Sequence, residues 1–280
     1  MATRYPAPAS LLFVPGSMPE RFDKALSAGA DVVCLDLEDA VAPEAKAAAR
    51  EAVLAFAGQQ PRPGRLCIRI NQLGSVYGME DTLALARAAR RANFIMLPKV
   101  ATARDAELLL DVFDPHPPTV IALIESPQGV EAAFEIAHSP AVAMLMFGGF
   151  DYAAATGSDQ TWNTLLAARS RLVAAGAAAG KPVIDSPYAR LDDVAGAADE
   201  NRRASAIGFA GKAAIHPKMV PDINTAFTPS EQEIVDARAI VAAFDASGGA
   251  VARIGGKLVE LPVVLRMRRL IDRADERRAG

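Results

Sequence analysis

The chain has 280 residues, of which 51% are apolar and 22% charged, close to the averages for globular proteins. This length fits two average domains, but barrels of alternating strands and helices typically occupy about 250 residues as one domain. The formal net charge of −3 arises from 30 basic and 33 acidic residues without a basic run, which disfavours nucleic acid as a partner.

The cysteines and the N-terminus indicate the compartment. Cys34 and Cys67 lie in apolar stretches without metal-site spacing, which predicts buried free thiols and suits a reducing compartment. Residues 1–10 lack the basic and long apolar segments of a signal peptide, and no apolar run reaches the ~20 residues of a membrane span. We therefore expect a cytoplasmic protein without a membrane partner.

Short apolar segments alternate with longer alanine-rich segments of helical period, which predicts repeated strand-helix units around a parallel sheet. The predicted strands cover residues 11–14, 32–37, 66–70, 94–97, 120–124, 142–147, 182–184 and 206–209. The predicted helices between and around them cover residues 19–28, 43–57, 80–91, 102–113, 129–138, 161–179 and 191–204.

This element order predicts the fold class. Eight units favour a closed (β/α)₈ TIM barrel over an open doubly wound sheet, although an open sheet with extra strands also fits. The nearly continuous Val, Ile and Leu content is typical of strands buried on both faces. We assign residues 1–228 to the barrel core. Residues 229–280 form an appended C-terminal helical segment, expected to pack on the barrel or on a neighbouring subunit.

Charged and polar residues follow the predicted strands and should converge at one end of a parallel barrel. They are Asp36, Glu38, Asp39, Arg69, Asn71, Lys99, Glu125, Ser126, Asp151, Asp185, Lys212 and His216. Any one of them is equally well explained by an ion pair that caps the sheet. Several buried carboxylates with an arginine, however, are costly unless a cation or an anionic ligand balances them.

Glu125 and Asp151 are the best pair for a divalent cation, since each follows an apolar strand and precedes a glycine-containing turn. Magnesium is usually held by a few carboxylates and otherwise by water and substrate. Zinc fits less well, because the three histidines have no ligand spacing. Arg69 offers a planar fork for a substrate carboxylate; a salt bridge to Asp36 or Glu38 is the alternative, and both can hold.

Seven segments spanning almost the whole chain carry a family resemblance. They are SLLFVPGSMPERFDK (10–24), DVVCLDLEDAVAP (31–43), IRIN (68–71), IMLPK (95–99), IESPQG (124–129), FGGFD (147–151) and GFAGKAAIHP (208–217). In this order they resemble the citrate lyase β-subunit-like branch of the HpcH/HpaI aldolase superfamily. Any one segment alone would be weakly specific, but the set is highly specific.

The resemblance implies a TIM barrel that assembles into trimers or larger homo-oligomers and binds Mg²⁺ through Glu125 and Asp151. It implies that Arg69 contacts an oxo acid, and that Arg21 and Lys24 approach the phosphates of coenzyme A. The sequence alone favours an ordinary amphipathic helix surface for those two basic residues.

The implied activity is a magnesium-dependent carbon-carbon lyase. It would cleave a short 3-hydroxy diacid thioester of the citramalyl-, malyl- or citryl-CoA type into an acyl thioester and an oxo acid. Magnesium would acidify the substrate hydroxyl, and Asp36, Glu38 or Asp39 would carry the proton or anchor the site. Citramalyl-CoA or a similar short diacid thioester is the favoured substrate.

One departure from the family pattern and three alternatives bear on this expectation. Glu260 stands where thioester-active relatives carry an aspartate supplied by an adjoining subunit. Asp39 stands where free pyruvate aldolases place a histidine, which counts against that activity. A CoA-thioester hydrolase, and the β subunit of a citrate lyase complex acting on a carrier-protein thioester, remain open alternatives.

Overall fold

The computed structural model describes residues 7–60, 65–88, 92–248, 252–254 and 257–279. These residues fall into two units by their contacts. One unit is Pro8–Phe227, and the described residues from Thr228 onward belong to the other. Each unit is described separately below.

Eight parallel strands close into a barrel in the first unit. They are β1 (Ser10–Pro15), β2 (Val32–Asp36), β3 (Leu66–Arg69), β4 (Phe94–Leu97), β5 (Thr119–Ile124), β6 (Val142–Phe147), β7 (Val183–Asp185) and β8 (Gly211–Ala214). Each strand pairs with the next in sequence, and β8 pairs in parallel with β1 through the Ser10–Lys212 register. The predicted (β/α)₈ barrel is therefore confirmed, and the open sheet is ruled out.

The helices of this unit mostly follow the strands one by one. They are α1 (Phe22–Leu26), α2 (Lys46–Gln59), α3 (Val76–Arg87), α4 (Ala103–Val112), α5 (Pro127–Glu131), α6 (Ala133–His138), α7 (Gly149–Thr156), α8 (Trp162–Ala179), α9 (Val194–Ile207) and α10 (Val220–Phe227). Because every strand runs in the same direction, the connections that follow the strands meet at one end of the barrel.

The strands are buried on both faces, as their apolar composition predicts. All residues of β2 and β4 are buried, and one continuous apolar core extends from Ala9 to Phe227. Cys34 and Cys67 are buried free thiols at paired positions of β2 and β3. The hydrophobic effect thus stabilises the closed barrel through side chains directed both inward and toward the helices.

The predicted eighth strand, residues 206–209, is wrong. Residues up to Ile207 belong to α9, and Gly208 ends that helix at φ +109°. The true strand lies at Gly211–Ala214 and contains Lys212, which is fully buried. Lys212 interrupts the apolar run that marks a strand. The apolar residues at the end of α9 therefore led to a predicted strand there instead.

Other differences concern helix bounds. The predicted helix at 129–138 is two helices, α5 and α6, separated at Ala132. The glycine pair Gly148–Gly149 leads directly into α7, which the sequence did not predict. Asp151 therefore lies in the first turn of a helix and not immediately after its strand. The predicted helix at 80–91 begins earlier, at Val76.

The second unit is a helical hairpin with a small sheet. It contains α11 (Glu231–Ala246), the antiparallel pair β9 (Ala252–Ile254) and β10 (Lys257–Val259), and α12 (Leu261–Ala279). Phe244, Val259 and Val264 form its buried core, and an Arg238–Asp275 ion pair at 2.8 Å links its two helices. Across the described part of the chain, no helix combines the length and apolar character needed to cross a membrane.

Candidate active site at the carboxyl end of the barrel

A cavity of about 380 Å³ opens where the carboxyl ends of the strands meet. Five sequence-predicted site residues line it, namely Asp36, Asp39, Arg69, Glu125 and Asp151. Apolar side chains, including Phe13, Leu123, Met146, Phe150 and Ile215, form much of the remaining wall. The structure therefore places residues from distant parts of the chain around one space, as convergence of parallel strand ends requires.

Arg69, the last residue of β3, is held by two buried carboxylates. Its Nε and Nη2 donate to the two oxygens of Asp36 at 2.7 and 2.5 Å, and Nη1 lies 2.8 Å from Glu38 Oε2. Its guanidinium also lies 5.0 Å from the ring centroid of Phe13. Burial lowers the pKa of Arg69, but the hydrogen bond and charges of these carboxylates outweigh burial and raise it. The predicted salt bridge thus coexists with exposure to the cavity.

Lys46 fixes the segment after β2 through hydrogen bonds to its backbone. Its Nζ donates to the carbonyl oxygens of Leu37 and Glu38, each at 2.9 Å, and to Asn71 Oδ1 at 2.7 Å. Asn71 Nδ2 in turn donates to Asp81 at 2.7 Å. These buried bonds satisfy backbone groups that the end of a strand would leave unpaired, and they hold the backbone between Asp36 and Asp39 in place.

Glu125 directly follows β5 and is only 4% exposed. Its Oε1 accepts a hydrogen bond from the backbone N–H of Lys99 at 2.7 Å. Burial first, and then the negative charges of Glu38 and Asp151, raise the pKa of Glu125 to about 8. A carboxyl group in this environment either keeps its proton or gains a cation.

Gly148 lets the backbone approach Glu125 closely. A Cβ at this position would lie 2.4 Å from Glu125 Cβ and 2.7 Å from Glu125 Oε2, so only glycine fits without a shift. The Gly148 N–H also donates to the carbonyl oxygen of Ile124 at 2.8 Å, which joins the ends of β5 and β6. This close contact is the reason for a glycine before α7, beyond an ordinary turn.

Lys99 follows β4 and belongs to the site, although its position at a strand end predicts no particular role. Its Nζ donates to Glu38 Oε1 at 2.7 Å, and it lies 3.8 Å from Asp151 Oδ2 and 3.9 Å from Asp39 Oδ1. Burial lowers the pKa of Lys99, but the hydrogen bond to Glu38 and the nearby carboxylates raise it above its ordinary value. Lys99 therefore supplies a positive charge to the acidic group around it.

The three acidic residues at the end of β2 and just after it differ in environment. Asp36 and Glu38 are buried and both contact Arg69, whereas the Asp39 side chain is 60% exposed. Burial raises the pKa of Glu38, although Arg69 and Lys99 oppose the increase. Asp36 also accepts the Glu38 N–H at 2.9 Å. Only Asp39 combines a position on the cavity wall with a side chain that is not fixed by a close ion pair.

Several predicted residues lie outside the cavity wall. Arg21 precedes α1 and Lys24 lies within it; both are exposed, and neither belongs to the residues that line the cavity. Ser126 caps α5 by accepting the Gly129 N–H at 3.0 Å, and exposed His216 accepts the Lys218 N–H at 3.1 Å. These last two contacts are structural.

Asp185 and Lys212 belong to a buried ion network instead of the cavity wall. Lys212 Nζ donates to Asp185 at 2.6 Å and to Glu200 at 2.8 Å, while Arg169 Nε donates to Asp185 at 2.9 Å. The network joins α8, β7, α9 and β8. Ion pairing within the fold therefore explains two of the strand-end charges, Asp185 and Lys212.

Within the described residues, no group of three or more His, Cys, Asp or Glu side chains is arranged to hold a metal ion. Glu125 and Asp151 nevertheless line the same cavity, and each carries oxygen ligands. Two protein carboxylates with open positions for water and substrate match the usual magnesium site. The residues present therefore fit an oxygen-bound cation with few protein ligands, and not a closed structural site.

A closed parallel barrel with acidic and basic side chains gathered at the carboxyl ends of its strands defines a barrel enzyme. The family model described as HpcH/HpaI aldolase/citrate lyase matches residues 9–217. The chain belongs to this family, and the predicted carbon-carbon lyase class is confirmed.

Similar proteins occur in Mycobacterium tuberculosis and Cereibacter sphaeroides. A citrate lyase subunit beta-like protein of Mycobacterium tuberculosis (strain CDC 1551 / Oshkosh) is 36% identical over 272 residues, 95% of each chain. An L-malyl-CoA/beta-methylmalyl-CoA lyase of Cereibacter sphaeroides (strain ATCC 17029 / ATH 2.4.9) is 33% identical and covers 94% of this chain and 93% of the relative. The crystal structure of M. tuberculosis CitE with magnesium, acetoacetate and coenzyme A matches this fold with a TM-score of 0.82. The two sequences are 33% identical, and the match covers 98% of this chain and all of that chain.

Proposed function

We propose that this chain is a magnesium-dependent lyase that cleaves a short 3-hydroxy diacid thioester of coenzyme A into an acyl thioester and an oxo acid. The observation that carries the proposal is the shared cavity of Glu125, Asp151 and Arg69. The lyase of C. sphaeroides and the magnesium- and coenzyme A-bound structure from M. tuberculosis support it.

Glu125 and Asp151 would hold the cation. The high pKa of Glu125 reflects an excess of negative charge in a buried place, which a divalent cation relieves. When bound, magnesium acidifies a coordinated hydroxyl and orients the bond to be broken. The contacts of Lys99 N and Gly148 fix Glu125 on two sides, so this carboxylate is positioned before any ligand arrives.

Arg69 would bind the carboxylate that becomes part of the oxo acid. A guanidinium carries five N–H donors, and three of its nitrogens contact Asp36 and Glu38 here. The two remaining N–H groups and the positive charge suit a substrate carboxylate at the cavity wall. Asp36 and Glu38 then act as anchors that hold the guanidinium plane.

Asp39 is the proton carrier in this proposal, because among Asp36, Glu38 and Asp39 it combines a place on the cavity wall with an exposed side chain. Asp39 removes the proton of the substrate 3-hydroxyl, directly or through water. The carbon-carbon bond then breaks, its electron pair passes to the carbon beside the thioester carbonyl, and the hydroxyl carbon becomes the keto carbon of the oxo acid. Protonation of the resulting enolate yields the acyl thioester.

Recognition of coenzyme A is assigned to Arg21 and Lys24. Both are exposed basic residues that follow β1, on the end of the barrel where the strand ends converge. Exposed cations on a short helix can pair with phosphates of a nucleotide that extends beyond the cavity. Glu260, exposed at the start of α12, is a candidate acid in the second unit.

Among the possible acyl groups, we favour citramalyl-CoA. Phe13 stacks against Arg69, and Leu123, Met146 and Ile215 line the same cavity. An apolar wall beside the carboxylate-binding arginine favours a substrate that carries a methyl group there over one with a second polar substituent.

The test is an assay of oxo-acid release from malyl-, citramalyl- and citryl-CoA, with Mg²⁺ or with EDTA. Wild-type activity should require the cation, and Glu125→Gln and Asp151→Asn should each lower kcat/KM at least ~100-fold. Asp111→Asn, which alters an exposed carboxylate of α4 that pairs with Arg104, is the matched control and should keep full activity. Full activity in both site variants would refute the site.

The products separate the alternatives. Free acid with free coenzyme A, without an oxo acid, would identify a thioester hydrolase. Activity that appears only after addition of a carrier-protein thioester would identify a subunit of a citrate lyase complex.

A further inference from the structure

Lys99 has an unusual backbone conformation. Its φ of +55° is the single positive value recorded for a non-glycine residue in the described part of the chain. This left-handed region is unfavourable for side chains larger than glycine, so neighbouring contacts must hold the residue there. The conformation directs the backbone N–H to Glu125 Oε1 at 2.7 Å, while the side chain extends to Glu38.

The ammonium group of Lys99 lies between three carboxylates from two connections, those that follow β2 and β6. It is hydrogen-bonded to Glu38 at 2.7 Å, and it lies within ion-pair distance of Asp39 at 3.9 Å and Asp151 at 3.8 Å. The two longer distances are electrostatic contacts without a close hydrogen bond, and the Lys99 side chain is 37% exposed. The ammonium can therefore move away from Asp151 while it keeps its bond to Glu38.

The charges around the cavity explain why the ammonium occupies this place. The acidic cluster consists of Asp36, Glu38, Asp39, Glu125 and Asp151. Arg69 compensates Asp36 and Glu38, which leaves Lys99 as the cation in contact with Asp39 and Asp151. A divalent cation bound by Asp151 would then stand close to a positive charge, and two cations at such a distance repel each other.

We propose that Lys99 is an internal competitor of the divalent cation. Its ammonium neutralises Asp151 and Asp39 when the metal is absent, and it lowers the affinity of the Glu125–Asp151 pair for the metal. The lysine thereby keeps the acidic cluster stable without metal and keeps the metal exchangeable. This inference rests on the magnesium site of the proposed function, but it concerns affinity and not turnover.

The test measures cation affinity directly. Mn²⁺ alone is titrated into the full-length protein and followed by electron paramagnetic resonance, and Mg²⁺ alone is titrated by calorimetry. Lys99→Met removes the charge but keeps the backbone N–H that binds Glu125. This variant should bind both cations about tenfold more tightly than wild type. The repulsion between a single charge and a divalent cation ~6 Å apart in a water-like medium changes the affinity by about this factor.

Two further variants distinguish charge from structural damage. Lys99→Gln, neutral and able to donate a hydrogen bond to Glu38, should also bind Mn²⁺ more tightly. Lys99→Arg keeps the charge and should stay within about twofold of wild type. If Lys99 only stabilised the structure of the site, the neutral variants would bind cations more weakly. Competition between Lys99 and the cation predicts tighter binding.

The outcomes separate the two proposals. Unchanged or weaker cation affinity in both neutral variants, with clear binding by wild type, overturns the role of Lys99 and leaves the metal site intact. No cation binding by wild type or by either neutral variant overturns the metal site together with this inference.

Discussion

A carboxyl group that loses contact with water on folding must keep its proton or acquire a positive partner. Glu125 is such a carboxyl group, since it is buried beside Glu38 and Asp151 and its pKa rises to about 8. In the unfolded chain the same group has its ordinary value of 4.5. The folded protein therefore binds a proton on Glu125 through a range of pH where the unfolded chain does not.

This difference predicts a pH dependence of stability. Between about pH 4.5 and pH 8 the folded state holds more protons, so the free energy of unfolding of metal-free protein falls as pH rises, by at most about 1.4 kcal/mol per unit. Urea denaturation in EDTA at pH 5.5 and pH 7.5 measures the change, and Glu125→Gln should lack this part of it. An equal change in both proteins would contradict the assignment.

At this scale the sequence predicted several of the residues that meet in the cavity, but not all of them and not all of their roles. Asp36, Arg69, Glu125 and Asp151 were identifiable because each lies at or soon after the end of an apolar strand. The role of Lys99 depends on a left-handed backbone and on the direction of a long side chain, which no spacing in the sequence reveals. The apolar wall formed by Phe13 and Ile215 was likewise not predictable, because apolar strand residues do not reveal which of them reach the cavity.

Among the elements, the junction of β6 and α7 determines how closely two parts of the site approach. Gly148 lies against Glu125, and α7 begins at the next residue and carries Asp151 in its first turn. The sequence did not predict that α7 begins at this point, because a glycine pair is more typical of a turn. Seven of the eight strands were easier to predict, because burial on both faces leaves a continuous apolar signal, whereas Lys212 interrupts that signal in β8.

Gly148→Ala tests this junction. The added Cβ would overlap Glu125, so we expect a loss of ~1–3 kcal/mol of stability and a clear loss of magnesium affinity. Gly58→Ala is the matched control: it adds a Cβ in α2 with no neighbour within 4 Å, and it should be neutral or stabilising. Chemical denaturation and calorimetric titration measure both effects. Normal magnesium binding by the Gly148 variant would contradict the role of the close contact.

For the whole molecule, the two units have separate hydrophobic cores. The large core extends from Ala9 to Phe227, and the small one comprises Phe244, Val259 and Val264. We propose that residues 1–228 are the folding core and that residues 229–280 are an extension used in assembly of a homotrimer or hexamer. The closed barrel was predictable from the repetition of eight units, whereas the β9–β10 pair was not, since three-residue strands carry little signal.

Truncation after Phe227 tests the division. The shortened chain keeps every residue of the large core, so it should unfold cooperatively and retain the circular dichroism of a barrel. Light scattering should show a smaller assembly than that of the full chain. Non-cooperative unfolding would show that the barrel depends on the C-terminal unit, and an unchanged oligomer would exclude that unit from assembly.

The backbone bond from Gly148 to Ile124 has a consequence for how this site evolves. Because it joins adjacent strand ends, directly before Glu125 and three residues before Asp151, the separation of these two proposed ligands depends on sheet geometry and the first turn of α7 and not on the length of a later loop. We therefore expect insertions and deletions beyond α5 or α7 to reshape the entrance of the cavity while the spacing of the two proposed ligands is retained.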